Sequence, residues 1–255
     1  MPPPCAETKS SLHHVIHLST VDSTNAEAMR RAAAGEPGPL WILGDTQTAG
    51  RGRSGRSWAS EPGNLHASLL VRLALPSPRA YQLSLVAGVA VLDAVRHAVS
   101  PVPSALRLKW PNDLLVASAK TGGILVESSS SAGQSLAAVI GIGINLVSHP
   151  AGLDRPVTHL GAHATQIPAP AALLDVLAAY MQHWLAVWQN GQGFPEVREA
   201  WLSGAHPIGE RLRIVAGARA VEGTFAGLDP EGALILADPS GRNESFTFGD
   251  VTTAT

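Results

Sequence analysis

The sequence predicts an α+β protein made of two units: a larger domain of strands and helices over residues 13–206, and a small β-rich domain over residues 207–255. Three observations carry this. Leu85, Val89, Leu92, Val95 and Val99 recur at helical spacing, as do Leu173, Leu177, Tyr180 or Met181, Trp184 and Trp188. Apolar runs of strand length lie between and before these series. After Pro207 the texture changes to short alternating segments broken by turn residues.

The elements follow in order. Residues 1–12, rich in Pro and Ser, read as a disordered tail. His13 to Leu18 reads as a strand. Ser23-Thr24-Asn25 then opens a run of strong helix formers from Ala26 to Ala34, stopped by Gly35 and Pro37. Leu40–Gly44 and Leu65–Leu73 read as strands flanking a glycine- and arginine-rich loop, and the first long helix follows. Further strands are expected over Leu106–Lys109, Leu114–Val116, Gly123–Glu127 and Leu136–Ile142. Residues 147–170, with four prolines, read as loop before the second long helix, and a shorter helix is expected over Phe194–Leu202. In the last unit, strands are expected over Arg211–Val215, Ala220–Phe225, Ala233–Leu236 and Ser245–Phe248, which makes a small barrel or sandwich.

Composition narrows the function. With 45% apolar and 15% charged residues, the chain has the make-up of a globular protein, and a net charge of −2 gives no global attraction to nucleic acid or anionic membrane. The single Cys5 rules out an internal disulfide and a cysteine-based zinc site. Residues 1–7 lack the basic-then-apolar order of a secretory signal. The apolar stretch Leu83–Leu92 is broken by Ser84 and Gly88, and it falls short of the roughly 20 residues that cross a bilayer. The expected setting is the cytoplasm, with no membrane association.

Three clusters can carry chemistry. The first is the Gln47–Trp58 loop, where Gly50, Gly52 and Gly55 let backbone amides approach a ligand and Arg51, Arg53 and Arg56 supply planar donors for phosphate or carboxylate. Trp58 could stack on a base. Gly50-x-Gly52-x-x-Gly55 satisfies the dinucleotide fingerprint, and Gly50–Ser57 nearly spells a phosphate loop. Neither is followed by a helix, and Arg56 replaces the lysine of the second. The plain alternative is a flexible basic surface loop.

The second cluster is Lys109-Trp110-Pro111-Asn112-Asp113 with Lys120-Thr121-Gly122-Gly123. A hairpin would bring Lys109 and Lys120 to one end, where two ammonium groups need an anion or carboxylates between them. The alternative is a hairpin with exposed lysines. The third is Gly141-Ile142-Gly143-Ile144-Asn145, which read alone is core packing. His13, His14 and His17 would be split across strand faces. His159 and His163 have helical spacing in a loop-like stretch, so neither set is expected to bind metal. Asp22 reads as a turn and cap.

Taken in order, Ser23-Thr24-Asn25, the Gln47–Trp58 loop, Lys109–Asp113, Lys120–Glu127 and Gly143–Asn145 resemble the catalytic module of bacterial biotin protein ligases. They span residues 15–147, and the β-rich tail is similar to that family's small C-terminal domain. The resemblance implies a mixed-sheet catalytic domain followed by an SH3-like barrel. It implies ATP-dependent activation of biotin to biotinyl-5'-AMP with Mg²⁺, and transfer to a lysine of a biotin carboxyl carrier protein. It assigns Ser23, Thr24, Asn25, Gln47, Arg51, Gly52, Arg53 and Lys120 to biotin, with Arg53 and Lys120 as catalytic groups. The nucleotide side falls to Arg53, Trp58, Lys109, Asn112, Asp113 and Asn145. Arg56 is expected farther along the loop, where it matters less.

Some members of that family carry an N-terminal DNA-binding domain. Residues 1–12 leave no room for one, so the expectation is the monofunctional type, acting on a protein carrier and not on DNA, with homodimerisation open. Two rival readings are a lipoate or other acyl protein ligase, and a non-enzymatic nucleic-acid binder built on the basic loop.

Overall fold

The computed structural model describes residues 9–10, 13–73, 81–129 and 136–254. Of the expected tail, only Lys9–Ser10 fall among these. They form strand β1, paired antiparallel with His14 and His13. The rest of residues 1–12 lies outside the described residues.

The larger unit is an eight-stranded sheet in the order β1-β2-β3-β4-β8-β7-β6-β5. Its strands are β2 (His13–Val21), β3 (Leu40–Gln47), β4 (Leu65–Leu73), β5 (Leu106–Lys109), β6 (Asp113–Val116), β7 (Ala119–Ser129) and β8 (Leu136–Ile144), besides β1. Only β2 and β3 run parallel. The crossover between them is helix α1 (Thr24–Ala33), as a parallel pair requires. Ser23 caps α1, its Oγ accepting from the amide of Ala26 at 3.4 Å. Glu27 in the first turn reaches Arg30 and Arg31 in the last.

Helices cover both faces. On one, Ala28 and Ala32 of α1 pack with Ile16, Leu40, Ile42, Leu70, Ala137 and Val139. On the other lies the main core, built around α2 (Gln82–Ala98), with α3 (Pro170–Trp188) and α4 (Phe194–Ser203) outside it. Helix α2 is buried nearly all round from Gln82 to Val95, because it sits between the sheet and two further helices. Each fully buried Leu or Val there contributes about 1.5–3 kcal/mol relative to exposure. The polar groups in this stretch are matched: Gln82 Oε1 accepts from the Trp188 indole and Asp93 Oδ2 from the Trp184 indole, each at 2.9 Å, and Ser84 Oγ donates to Pro111 O at 2.9 Å.

The second unit is a five-stranded antiparallel sheet in the order β12-β11-β10-β9-β13. Its strands are β9 (Arg211–Ala216), β10 (Arg219–Leu228), β11 (Leu234–Ala237), β12 (Asn243–Phe246) and β13 (Asp250–Thr253). A bulge between Phe225 and Gly227 bends β10. The sheet docks against the first unit: the Trp110 indole donates to Gly232 O at 3.1 Å, the Tyr81 hydroxyl to Glu231 O, and Lys109 Nζ to Val251 O at 3.2 Å.

Most expected elements match, and Leu65–Leu73 and Leu106–Lys109 match residue for residue. The strand expected at Ser245–Phe248 lies instead at Asn243–Phe246, leaving Phe248 exposed, and β13 was not expected.

Candidate active site

A pocket of about 710 Å³ lies on the sheet face that α1 leaves uncovered at its start, under the Gln47–Trp58 loop. Strand register sets its floor. His66 pairs with Gly143 and Ser68 with Gly141 across β4 and β8, and Gly123 pairs with Gly143 and Leu125 with Gly141 across β7 and β8. Directly paired residues share a face, so these positions form one surface.

Three of those positions are glycine, and the space their side chains would fill is occupied. A Cβ on Gly143 would stand 2.5 Å from Cε2 of Trp58, one on Gly123 3.0 Å from Lys120 Nζ, and one on Gly141 would collide with the Asn25 amide. The third cluster is core at Ile142 and Ile144, as its apolar run predicts, while its glycines, with Gly123, let Asn25, Trp58 and Lys120 approach the sheet.

The end of β2 and start of α1 build one wall. The Thr24 amide and Oγ donate to Gln47 Oε1 at 2.8 and 3.1 Å, and Gln47 Nε2 donates to Ser60 Oγ at 2.9 Å. Asn25 Nδ2 donates to Glu127 Oε2 at 2.8 Å and to Leu125 O at 3.3 Å, which fixes its amide. Ser68 Oγ, fully buried, lies 2.7 Å from Thr24 Oγ and 2.6 Å from Asn25 Oδ1. Thr24, Asn25 and Gln47 are thus oriented by one hydrogen-bond network, and Ser23, held by its cap on Ala26, lines the pocket beside them.

The loop closes as a tight hairpin. The Trp58 amide donates to Gly50 O at 2.9 Å and the Gly52 amide to Arg56 O at 2.7 Å, around a single 3₁₀ turn at Arg53–Gly55. Its arginines are held from three sides: Arg51 by Glu127 at 3.1 Å, Arg53 by Asn112 Oδ1 at 3.0 Å and Gly249 O at 3.4 Å, and Arg56 by Asp250. Two of those partners belong to the second unit. Arg56 lines the pocket beside Arg53. Its expected place farther along and away from the ligand is therefore corrected: the 3₁₀ turn folds it back.

Lys109 and Lys120 meet as the hairpin predicts, and the counter-charge is Asp113 of the same motif. Lys120 Nζ lies 2.5 Å from Asp113 Oδ1, and Lys109 Nζ lies 3.1 Å from Oδ2. Burial pushes the Lys120 ammonium down, against the opposing pull of Asp113. Burial would raise Asp113, but the two ammonium groups outweigh it and hold the carboxyl below its ordinary range. Lys120 also stands 5.6 Å from the centre of the Trp58 ring, whose indole nitrogen is buried without a partner.

Ser23, Thr24, Asn25, Gln47, Arg51, Gly52, Arg53, Trp58, Asn112, Asp113 and Lys120 all line this one pocket. Asn145 and Lys109 do not. Asn145 spends its side-chain amide on Thr158 O at 2.9 Å and borders an adjoining cavity with Trp58 and Lys120, while Lys109 borders a cation-rich cleft beside Asp113. Sequence reading missed Ser68, Glu127, Arg155 and Asp250; of these Arg155 and Asp250 line the pocket, and Glu127 and Ser68 orient groups that do. Glu127 stood within the quoted Lys120–Glu127 segment, whereas no local signal marks the other three. Among the described residues no three His, Cys, Asp or Glu side chains converge as a metal site. His159 pairs with His149 through Nδ1 atoms 2.8 Å apart, and His163 contacts Thr158.

Lys120 of β7 and three arginines of the glycine loop converge over the glycine floor, an arrangement that suits the joining of two anions by a ligase that activates an acid. Residues 18–145 match the Biotin/lipoate A/B protein ligase family, and residues 208–252 match the Biotin protein ligase C terminal domain. The chain is 40% identical over 233 residues to the biotin–[acetyl-CoA-carboxylase] ligase of Paracoccus denitrificans, covering 88% of this chain and 95% of that one. It is 33% identical over 238 residues to the enzyme of the same description from Mycobacterium tuberculosis, covering 92% and 86%. Its fold is similar to that of the Aquifex aeolicus biotin protein ligase in complex with biotin and ATP, with a TM-score of 0.79, 25% identity, and 94% and 99% of the two chains covered. The chain belongs to the biotin protein ligase family.

Proposed function

We propose that the pocket holds biotin and ATP in contact, and that the chain joins them as biotinyl-5'-AMP before passing biotin to a lysine of a carboxyl carrier protein. The observation that carries this is the convergence of Arg53, Arg56 and Lys120 over the glycine floor, with Asp113 keeping Lys120 charged.

The chemistry needs that arrangement. A biotin carboxylate oxygen attacks the α-phosphorus of ATP, the bond to the β-phosphate breaks, and pyrophosphate leaves. Two anions about 4 Å apart repel by several kcal/mol at a moderate effective dielectric. Arg53 and Lys120 offset this and stabilise the charge that develops. Ser23, Thr24, Asn25, Gln47, Arg51 and Gly52 hold the biotin ring system in this reading, and Trp58, Asn112 and Asn145 face the nucleotide. In the second step a neutral lysine amine attacks the acyl carbon, AMP leaves, and the amine loses its proton.

Mg²⁺ in such a site needs only one or two carboxylates besides the phosphates. Of the carboxylates in the cleft that also holds Lys109 and Arg155, Asp250 is paired with Arg56 and Asp113 with Lys109 and Lys120, so Asp154 is the group that would hold the ion. Bound there, the ion would neutralise phosphate charge.

Among the described residues no helix is long and apolar enough to cross a membrane, and the reading places the protein in the cytoplasm with its ATP. The direct test is incubation with ATP, Mg²⁺ and biotin or lipoate, followed by mass spectrometry. Biotinyl-adenylate without lipoyl-adenylate is expected; the reverse would make the chain a lipoate ligase.

A further inference from the structure

Two grooves adjoin the ligand pocket, and they differ in chemistry. One, of about 1720 Å³, shares Arg56, Asp113, Lys120, Arg155 and Asp250 with the pocket and adds Lys109. It carries four cationic side chains against three carboxylates, Asp113, Asp154 and Asp250. The other, of about 720 Å³, shares Arg53, Asn112, Ile124 and Leu125 with the pocket. It runs out between Tyr81, Trp110, Pro111, Val126 and Thr247, and Arg53 is the one charged residue lining it.

We propose that this second groove admits the acceptor lysine of the carrier protein, together with an extended segment of small or apolar residues flanking it. The inference rests on the carrier-transfer reading above. Three observations favour this occupant. The groove is continuous with the pocket through Arg53, Asn112, Ile124 and Leu125 and shares no lining residue with the first, cation-rich groove, so a side chain entering there reaches the pocket without passing through that one. It is lined by apolar and aromatic surface, with no carboxylate, and an ammonium entering it is disfavoured against the neutral amine, which is the nucleophile. Its carbonyls are already engaged: Pro111 O accepts from Ser84 Oγ at 2.9 Å, Gly232 O accepts from the Trp110 indole, and Asn112 Oδ1 accepts from Arg53. Little is left to hold a cation, and Arg53 at the inner end opposes one further. The groove therefore favours entry of the lysine as its neutral amine, the ammonium proton having passed to solvent water, with no general base assigned.

Thr247 lies on the exposed rim of the groove and does not line the ligand pocket, so it can be altered without replacing a pocket residue. The test uses the full chain with its carrier protein, biotin, ATP and Mg²⁺, and reads three rates: biotin-dependent ATP–pyrophosphate exchange, capture of the adenylate by hydroxylamine, and biotin transfer to the carrier. Thr247→Trp fills the groove, and Thr247→Lys places a cation in it. Both are expected to keep exchange and hydroxylamine capture within twofold of wild type while carrier transfer falls at least tenfold. Thr247→Ser should leave all three unchanged. Wild-type carrier transfer in Thr247→Trp and Thr247→Lys overturns the proposal, as does an equal loss of exchange and transfer. Absence of biotin-dependent exchange in the wild-type protein would instead refute the ligase reading itself.

Discussion

Asp113 and Lys120 meet through a hydrogen bond of 2.5 Å, with side chains 12% and 14% exposed. Asp113 answers a second ammonium, Lys109, with its other oxygen. Without a carboxylate there, burial would favour a neutral Lys120, and the pocket would lose a charge that it needs.

Asp113→Asn tests this. Lys120 should then titrate lower, because the pull opposing burial is gone. The alkaline limb of kcat/KM for biotin is expected to move to lower pH, and stability to fall by about 3–5 kcal/mol, the usual cost of breaking a buried pair. A limb in the wild-type position would show that the charge of Lys120 is not required.

Gly143→Ala places a methyl where Trp58 now lies, 2.5 Å from Cε2. The central strand cannot move, so the loop must. KM for ATP and biotin should each rise at least tenfold, with stability changed by less than about 1 kcal/mol, since a surface loop gives way and not the core. Steady-state kinetics and urea melts on one preparation give both numbers. An unaltered KM would mean that the indole position is immaterial.

Arg53 joins the ligand loop to Asn112 and to Gly249 of the second unit. A guanidinium so placed should retain the mixed anhydride as well as help form it. Arg53→Gly is expected to leak biotinyl-adenylate and label bystander lysines on added albumin. Arg56 lines the same pocket, so Arg56→Gly should show a milder form of the defect and not serve as a silent control. Strict carrier labelling by Arg53→Gly would remove Arg53 from this role.

His66 is 1% exposed, with Nε2 3.3 Å from Glu61 O and Nδ1 buried without a partner. Burial holds its pKa below the ordinary histidine value of about 6.5. As pH falls past 6.5 the unfolded chain takes up a proton that the folded chain refuses, so this contribution to stability is full above 6.5 and is lost towards the lowered value. Urea unfolding at pH 7.5 and 5.5 should show a larger loss for wild type than for His66→Phe. Equal losses would show that the ring protonates in place.

Local signals in the sequence reached far into this structure. Helical periodicity located α2 and α3, and apolar runs of strand length located β4 and β5, because each buries one continuous surface. The Arg51–Trp58 and Lys109–Lys120 groups stand out because glycines and cations cluster without a helical or strand period, and Ser23–Asn25 stands out as the polar step that opens a helix. What stayed hidden depends on pairing across long stretches of chain. Ser68 is an unremarkable serine until β4 lies beneath α1. Asp250 acquires a role only once β13 docks beside the loop. Strand β13 buries only Val251, too little for a pattern. Gly141 and Gly143 could be read as packing because the residues that fill their space, Asn25 and Trp58, are far away in sequence.

The central claim is that this chain adenylates biotin over the glycine floor with Lys120 as an essential charge. Biotin-dependent ATP–pyrophosphate exchange tests it most directly, measured at saturating biotin and ATP for wild type and Lys120→Ala, with folding checked by thermal melt. Removing a charge paired to a desolvated anion costs about 2–5 kcal/mol, so exchange in the folded variant should fall by roughly 30-fold or more. Wild-type exchange in a folded Lys120→Ala protein would contradict the account.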